Sequence, residues 1–140
     1  MNARPSRARP SRAGTTSHAA NSLIGFGCYV MLTGAALFLA PNATLDFLRT
    51  ARTNEHWIRL LGMTAMVLGA YYIVAGRAEL TVLARASRWG RIAMATGFAS
   101  LVAANIAPLL LLGVAGNEML GVLWTTIALR ADARAGRSAG

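Results

Sequence analysis

Charged residues are scarce in this chain, and their scarcity is the first constraint on the class of protein. Only 14% of the 140 residues are charged, whereas 55% are hydrophobic. Soluble globular domains contain about 25% charged residues on average. The composition therefore excludes an ordinary soluble domain and favours a protein that is solvated by a lipid bilayer. The length is enough for one domain.

Cysteine is limited to Cys28, and the two histidines, His18 and His56, are far apart in the sequence. A single cysteine excludes an intrachain disulfide, and these three residues do not have the spacing of a metal site. The glycine-rich phosphate-binding motifs and the common hydrolase motifs are also absent from the sequence. We therefore assign no catalytic residue, no metal ligand and no cofactor from the sequence.

Lysine is absent, so all 14 basic residues are arginines, and only five acidic residues oppose them. The net charge of +9 is compatible with nucleic-acid binding. However, the arginines cluster between long apolar runs and do not mark one face of a folded domain. We therefore exclude nucleic acid and take the lipid bilayer as the partner. A second membrane protein or a second copy of the chain is the other partner considered.

Four apolar segments, separated by polar connections, predict an all-α integral membrane protein built as a four-helix bundle. Crossing the hydrocarbon core takes about 20 apolar residues. Residues 1–21 form an arginine-rich tail that also contains proline and serine, a composition that predicts disorder. Residues 22–130 form the four-span domain, and residues 131–140 form a second polar tail. The predicted helices are 22–40, 57–76, 90–107 and 108–130.

The boundary between the last two predicted helices depends on Pro108. If residues 113–118 formed a loop, only residues 119–129 would remain for the last span. That segment would rise about 16 Å, against a hydrocarbon core of about 30 Å. Proline is well tolerated in the first turn of a helix. We therefore place a tight turn at residues 106–108 and one long helix after it.

The arginines are distributed unequally between the two sides of the predicted bundle. Most of them fall in the N-terminal tail, the connection 77–91 and the C-terminal tail, which lie on one side. Only Arg49, Arg52 and Arg59 fall on the other side. Because basic residues concentrate on the cytoplasmic side, we expect both termini to be cytoplasmic. The predicted location is the bacterial inner membrane, with a multi-pass topology.

Small residues recur at intervals of seven on three of the predicted helices. Two helical turns separate residues at this spacing, so each set forms one face, along which helices in lipid can approach closely. We expect a compact bundle packed along these faces, with a homodimer along one of them as the alternative. The three sets are Gly27 and Gly34; Gly62, Gly69 and Gly76; and Gly90, Gly97 and Ala104.

The outer rim of the bundle carries a second group of candidates. Residues 42–52 alternate apolar and charged positions in a way that predicts a short amphipathic helix on the outer surface. Arg59 is close to the outer end of its span, where it either extends to the lipid headgroups or binds an anionic group. His56 adjoins Glu55 at the same rim and is a candidate titratable group.

Glu118 is the one acidic residue that the predicted helices place near the middle of the bilayer. It lies ten residues from the outer end of the fourth helix, about 15 Å deep. A carboxylate at that depth is costly unless it is protonated, paired or hydrated. We expect Glu118 to be neutral, to face inward and to bond to Tyr29, Thr96 or Ser100. The two interpretations are a proton or substrate site and a structural glutamate that joins helices.

Several short motifs between residues 20 and 131 resemble those of small four-span bacterial membrane proteins, the DoxX-like set and neighbouring families of unknown function. They are WIRLLG at 57–62, GAYY at 69–72, GR at 90–91, PLLLLG at 108–113, EMLGVLWT at 118–125 and ALR at 128–130. The resemblance implies a four-span fold, an acidic residue at the position of Glu118 and, in some members, a membrane subunit for quinone-dependent oxidation. None of the predicted spans contains a histidine, so no haem or redox-metal ligand follows from it.

The function expected from the sequence is non-enzymatic: an accessory or scaffolding subunit of a larger membrane system. The first alternative is a small proton-coupled transporter that works as a homodimer around Glu118. The second alternative is a quinone-linked redox subunit of the DoxX-like kind.

Overall fold

A computed structural model of the protein describes residues 16–54 and 56–137, and it is all-helical over that range. No strand occurs among the described residues, so the all-α fold class is confirmed. Residues 1–15 of the predicted tail, Glu55 and residues 138–140 lie outside the described part. The helices are α1 (His18–Leu39), α2 (Pro41–Phe47), α3 (Trp57–Arg77), α4 (Thr81–Ala103) and α5 (Leu111–Arg137).

The observed helix bounds differ from the predicted ones at the start of α1, at the end of α2 and at both ends of α4 and α5. Helix α4 already ends at Ala103, so the connection 104–110 takes the place of the tight turn predicted at 106–108. Helix α1 begins at His18, because the hydroxyl of Ser17 accepts a hydrogen bond from the backbone of Ala20 and caps the helix. Helix α4 begins at Thr81, because the arginine-rich connection is itself helical and continues into the apolar segment. Helix α5 runs from Leu111 to Arg137. It therefore starts after Pro108 and continues through most of the predicted C-terminal tail. The short helix predicted within 42–52 is observed as α2, which is shorter than predicted and ends at Phe47.

Three of the helices are long and apolar enough to cross a membrane, namely α1, α3 and the part of α5 from Leu111 to Gly136. Their surfaces agree with that assignment, since large apolar side chains such as Leu32, Leu39 and Val74 are exposed. Helix α4 has the length but carries Arg85, Arg88 and Arg91 in its first half. The predicted third span, 90–107, which corresponds to α4, is therefore the one whose composition is least like that of a membrane helix.

Three helices end with a residue in the left-handed conformation, and none of these residues is glycine. They are Arg49 after α2, Glu79 after α3 and Asn105 after α4, with φ angles of 51°, 53° and 57°. At each end the amide of the left-handed residue and the amide that follows it donate hydrogen bonds to carbonyls of the last turn, as in a Schellman motif. These hydrogen bonds satisfy carbonyl groups at the helix end and reverse the chain direction within a few residues.

Helices α1 and α3 form the tightest pair in the fold, and glycine makes the close approach possible. A methyl group built on Gly34 would lie 2.6 Å from the carbonyl oxygen of Gly62, and one on Gly27 would lie 2.7 Å from that of Gly69. These are two of the predicted glycine faces. The face predicted on the third span is not used in this way, because Gly90 and Gly97 have no neighbour within 4 Å.

Helices α4 and α5 form the second pair, and the two pairs join at one end. There Ala19 and Leu23 of α1 pack against Ala84 of α4, with Leu129 of α5 against the same cluster. Asp132 of α5 also holds the start of α1, since its two carboxylate oxygens accept the backbone N–H groups of His18 and Ala19 at 3.0 and 2.8 Å. A carboxylate at a helix N-terminus is favourable for both hydrogen bonding and the helix dipole.

Candidate functional site: a cleft between the helix pairs

A cleft of about 460 Å³ separates the α1–α3 pair from the α4–α5 pair beyond their common core. It remains open because α3 packs closely against α1 and hardly contacts α4 or α5. The volume is within the range of small-molecule sites, about 300–1,000 Å³. Its walls are largely apolar and include Val30, Leu37, Leu61, Leu68, Met94 and Phe98.

Arg91 lines this cleft from α4 and is 2% exposed. Its guanidinium carbon lies 3.5 Å from the centroid of the Phe26 ring, a cation–π contact. The Nη1 atom is 3.4 Å from the hydroxyl oxygen of Thr125, a long hydrogen bond. The Nε and Nη2 atoms are buried and have no hydrogen-bond partner. Burying a guanidinium whose donors are only partly hydrogen-bonded lowers the stability of the fold.

Glu118 lines the same cleft from α5 and is 7% exposed. Its Oε2 atom is buried without a hydrogen-bond partner. Glu118 and Arg91 are close enough for their charges to interact. The carboxyl lies seven residues after the start of α5 at Leu111, about 10 Å along the helix axis. The cleft therefore contains a basic and an acidic side chain whose buried polar atoms are not hydrogen-bonded to each other.

The position of the Arg91 side chain depends on a glycine of α5. A methyl group built on Gly121 would lie 2.5 Å from Nη1 of Arg91, so only glycine leaves room for the guanidinium here. Gly25 of α1 likewise leaves room for the ring of Trp124, which a methyl group would approach to 2.6 Å. Helices α1, α4 and α5 are thus fitted to each other around Arg91.

The structure brings one of the three predicted partners to the cleft with Glu118. Tyr29 lines the cleft and is 37% exposed. Thr96 and Ser100 lie on an exposed face of α4, where their hydroxyls donate to backbone carbonyls of Ile92 and Thr96. Both residues lie on a face of α4 that points away from the cleft. The predicted hydrogen bonds from Glu118 to these hydroxyls are therefore not formed.

The outer-rim candidates do not contribute to the cleft. Arg59 donates from Nη1 to the backbone carbonyl oxygen of Phe38, so it closes the C-terminal turn of α1. His56 is exposed at the start of α3 and gives no side-chain cap to that helix. Neither residue lines the cleft that contains Glu118.

Arg91 is the site residue that the sequence pattern does not single out as buried, because it ends the arginine-rich connection 77–91. A signal for its burial exists in the sequence. Ala84, Ser87, Arg91 and Ala95 are spaced by three or four residues and are all buried. Small residues at this spacing predict a packed helix face, and Arg91 is the long side chain on that face.

Metal binding finds no support in the residues that the structure describes, where no group of three or more His, Cys, Asp or Glu side chains is placed to hold an ion. The cleft instead provides hydrogen-bonding groups and charge, from Arg91 and Glu118, within largely apolar walls. Arginine supplies donors, and Glu118 supplies an acceptor or, when protonated, a donor.

No protein-family model, no curated protein and no solved structure shows significant similarity to this chain. The fold and the cleft are therefore the basis for a functional assignment.

Proposed function

We propose that this protein is a four-span membrane protein that binds a lipophilic, single-chain amphiphile in the cleft between its helix pairs. Its role is non-enzymatic, as an accessory subunit that holds such a molecule within a larger membrane system. The observation that carries the proposal is the pair of buried, incompletely bonded side chains, Arg91 and Glu118, in an otherwise apolar cleft. An amphiphile with a polar head and an apolar tail matches that division.

The proposed topology has both termini in the cytoplasm of a bacterial cell. It is supported by the contacts between Asp132 and the start of α1, and between Glu79 and the backbone N–H of Ser17. These contacts bring the start of α1, the α3–α4 connection and the end of α5 to one end of the molecule. Most of the described arginines lie at that end, which the positive-inside rule assigns to the cytoplasm.

Helix α4 completes the four spans in this proposal and is the third of them in chain order. Its 23 residues rise about 35 Å, which is enough to cross the hydrocarbon core. Arg85 and Arg88 lie near its first turns, where long side chains can extend to the headgroups. Arg91 is covered by Phe26 of α1 and by Gly121 and Thr125 of α5, so its charge is shielded from lipid.

Binding in the cleft is tested by filling it. Val114 lines the cleft on α5, and Val114→Trp replaces a small side chain by a large one within the cleft. Val67→Trp is the matched control, because Val67 is exposed on α3 and does not line the cleft. The probes are pyrene-labelled hexadecanol and pyrene-labelled hexadecanoic acid, added to the detergent-solubilised protein and counted by native mass spectrometry.

The unmodified protein and Val67→Trp are expected to retain one probe molecule, and Val114→Trp is expected to lose it. Binding of neither probe, or equal binding to both variants, would contradict the proposal. The same spectra report which molecules accompany the protein from its own membrane. A quinone found there would favour the quinone-linked subunit that the DoxX-like resemblance implies, and a bound protein would identify the larger assembly.

Proton-coupled transport is the second candidate function, and the buried, unpartnered Oε2 of Glu118 favours it. A carboxyl that alternates between protonated and ionised forms in a cleft can couple a proton to the bound molecule. In proteoliposomes, a pH gradient is then expected to drive movement of the pyrene-labelled acid. Glu118→Gln should abolish that movement and preserve expression. Equal movement by the variant would rule out this role for Glu118.

A further inference from the structure

We infer that the amphiphile bound in the cleft carries a carboxylate, which the free edge of the Arg91 guanidinium binds through two parallel hydrogen bonds. The ligand class is therefore a long-chain carboxylic acid. This inference rests on the proposed function, because it specifies the head of the molecule whose tail the cleft holds.

The unbonded donors of Arg91 form one edge of the guanidinium. Nε and Nη2 are the two buried atoms without a partner, whereas Nη1 lies against Thr125 and Gly121. In the planar guanidinium group, the N–H bonds of Nε and Nη2 point in the same direction, so together they fit the two oxygens of one carboxylate. That edge therefore has the donor geometry of a bidentate site, and a carboxylate in the cleft reaches it once the side chains that cover these two atoms move aside.

The same chain contains a filled example of this site at its outer surface. Nε of Arg52 donates to Oδ1 of Asp46 at 2.9 Å, and Nη2 donates to Oδ2 at 2.6 Å. That edge consists of the same two atoms that are free in Arg91. At Arg52 the acid comes from the protein, whereas at Arg91 the described residues supply no carboxylate to the edge.

Charge also favours an anion at this place. A buried cation is stabilised by an opposite charge with good hydrogen-bond geometry, and leaving it unpaired is strongly unfavourable. Glu118 is the nearest acid identified in the cleft, but it does not occupy the free edge. When protonated, Glu118 donates one hydrogen bond to a carboxylate held by Arg91, so the acid and the ligand need not both be charged.

The number of donors separates a carboxylate from a phosphate. A carboxylate has two oxygens, and the free edge of Arg91 offers two donors. A phosphate monoester would add a third oxygen and a further charge, for which the largely apolar walls offer little compensation. The hydroxyls of Thr33 and Thr64 also line the cleft, but they already donate to carbonyls of their own helices.

The test compares head groups on one alkyl chain, using the full-length protein in detergent. Hexadecanoic acid, its methyl ester, hexadecanol and hexadecyl phosphate each compete with the pyrene-labelled acid. We expect the acid to bind at least about tenfold more tightly than the ester and the alcohol, since hydrogen bonds between charged groups are the strong ones. Binding of the alcohol as tightly as the acid, or stronger binding of the phosphate, would overturn the inference.

Substitution of Arg91 provides the second arm. Arg91→Lys keeps the positive charge but removes the two-donor edge, and it is expected to reduce the preference for acid over alcohol several-fold. Arg91→Gln should bring the preference close to one. Arg88→Lys, on the same helix but outside the cleft, is the matched control and should keep the full preference. An unchanged preference in both Arg91 variants would also overturn the inference.

Failure of this inference is distinguishable from failure of the proposed function. If the cleft binds hexadecanol and the acid equally, and Val114→Trp abolishes both, the cleft is the site and the carboxylate assignment is wrong. If neither molecule binds, the proposed function itself is wrong. Retained hexadecanol binding also shows that an Arg91 variant has folded, and if neither variant folds, the head-group series on the unmodified protein decides.

Discussion

A single methyl group added at Gly34 is expected to separate the most tightly packed helices of this protein. In Gly34→Ala the new carbon would lie 2.6 Å from the carbonyl oxygen of Gly62 and 2.7 Å from the backbone nitrogen of Met66. Both atoms belong to the backbone of α3, so no change of rotamer relieves the clash. The two helices must move apart at this level by roughly 0.8 Å to restore ordinary contact distances.

The free energy of unfolding should fall as a result. A gap of 0.5–1 Å forfeits about a quarter to a half of the attraction at each affected contact. Overpacking of this kind usually destabilises a protein by about 1–3 kcal/mol. Alanine returns roughly 0.5–1 kcal/mol through its better helix propensity. Because the obstruction is backbone on two sides, we expect a net loss of about 1–2 kcal/mol.

Gly97→Ala is the matched control, because a methyl group on Gly97 meets no atom within 4 Å. This variant should keep its stability or gain up to about 1 kcal/mol. The measurement is the unfolding of both variants and of the unmodified protein in mixed micelles, followed by helical circular dichroism. If Gly34→Ala proved as stable as Gly97→Ala, the close approach of α1 and α3 would not be what stabilises the pair.

Three further predictions concern the cleft, the closed end and the outer surface. Gly121→Ala should displace the guanidinium of Arg91, reducing binding of hexadecanoic acid several-fold in the competition assay while unfolding changes by less than about 1 kcal/mol. Asp132→Ala removes the acceptor for two backbone N–H groups at the start of α1 and should cost about 1–2 kcal/mol in the same unfolding measurement. The hydrogen bonds from Arg52 hold the pKa of Asp46 below its usual value of 3.8. The stabilisation from this pair is therefore present above the usual value and is lost as the pH falls through the lowered pKa, which amide exchange around α2 should report.

Each of these predictions has its own control. Gly113→Ala adds a methyl group on the same helix as Gly121 without meeting any atom within 4 Å, and it should leave binding unchanged. Asp132→Asn keeps one side-chain oxygen as an acceptor, so it should be less damaging than Asp132→Ala. Asp46→Asn should remove the acid-dependent change around α2. Acid sensitivity that persists in this variant would assign the change to another group.

Helix type and approximate helix position follow from local pattern, and for that reason they could be predicted. Long apolar runs flanked by arginines place α1 and α3 within a few residues of their observed bounds. The seven-residue spacing of Gly27 and Gly34 correctly indicates a face that packs closely. The same spacing at Gly90 and Gly97 marks a face that contacts nothing within 4 Å. Periodicity shows that a face exists, but it does not show whether another helix covers it.

The candidate site shows the same division between local and long-range information. Depth along the helices brought Glu118 and Tyr29 to a similar level, and both line the cleft. Depth did not distinguish the two faces of α4, so Thr96 and Ser100 were placed with Glu118 although they face away from it. The rotation of each helix about its axis depends on all its neighbours at once.

The amino-acid sequence by itself determined the helical class of this protein, the approximate lengths of its apolar helices and the uneven spacing of its arginines along the chain. These properties depend on composition and on spacing within one helix, and each is settled by residues close together in the chain. Only the tertiary structure decided that Arg91 enters the cleft beside Phe26, that Gly121 leaves room for it, and that Asp132 caps α1. These contacts join residues far apart in the chain, and no local periodicity encodes which side chains will meet.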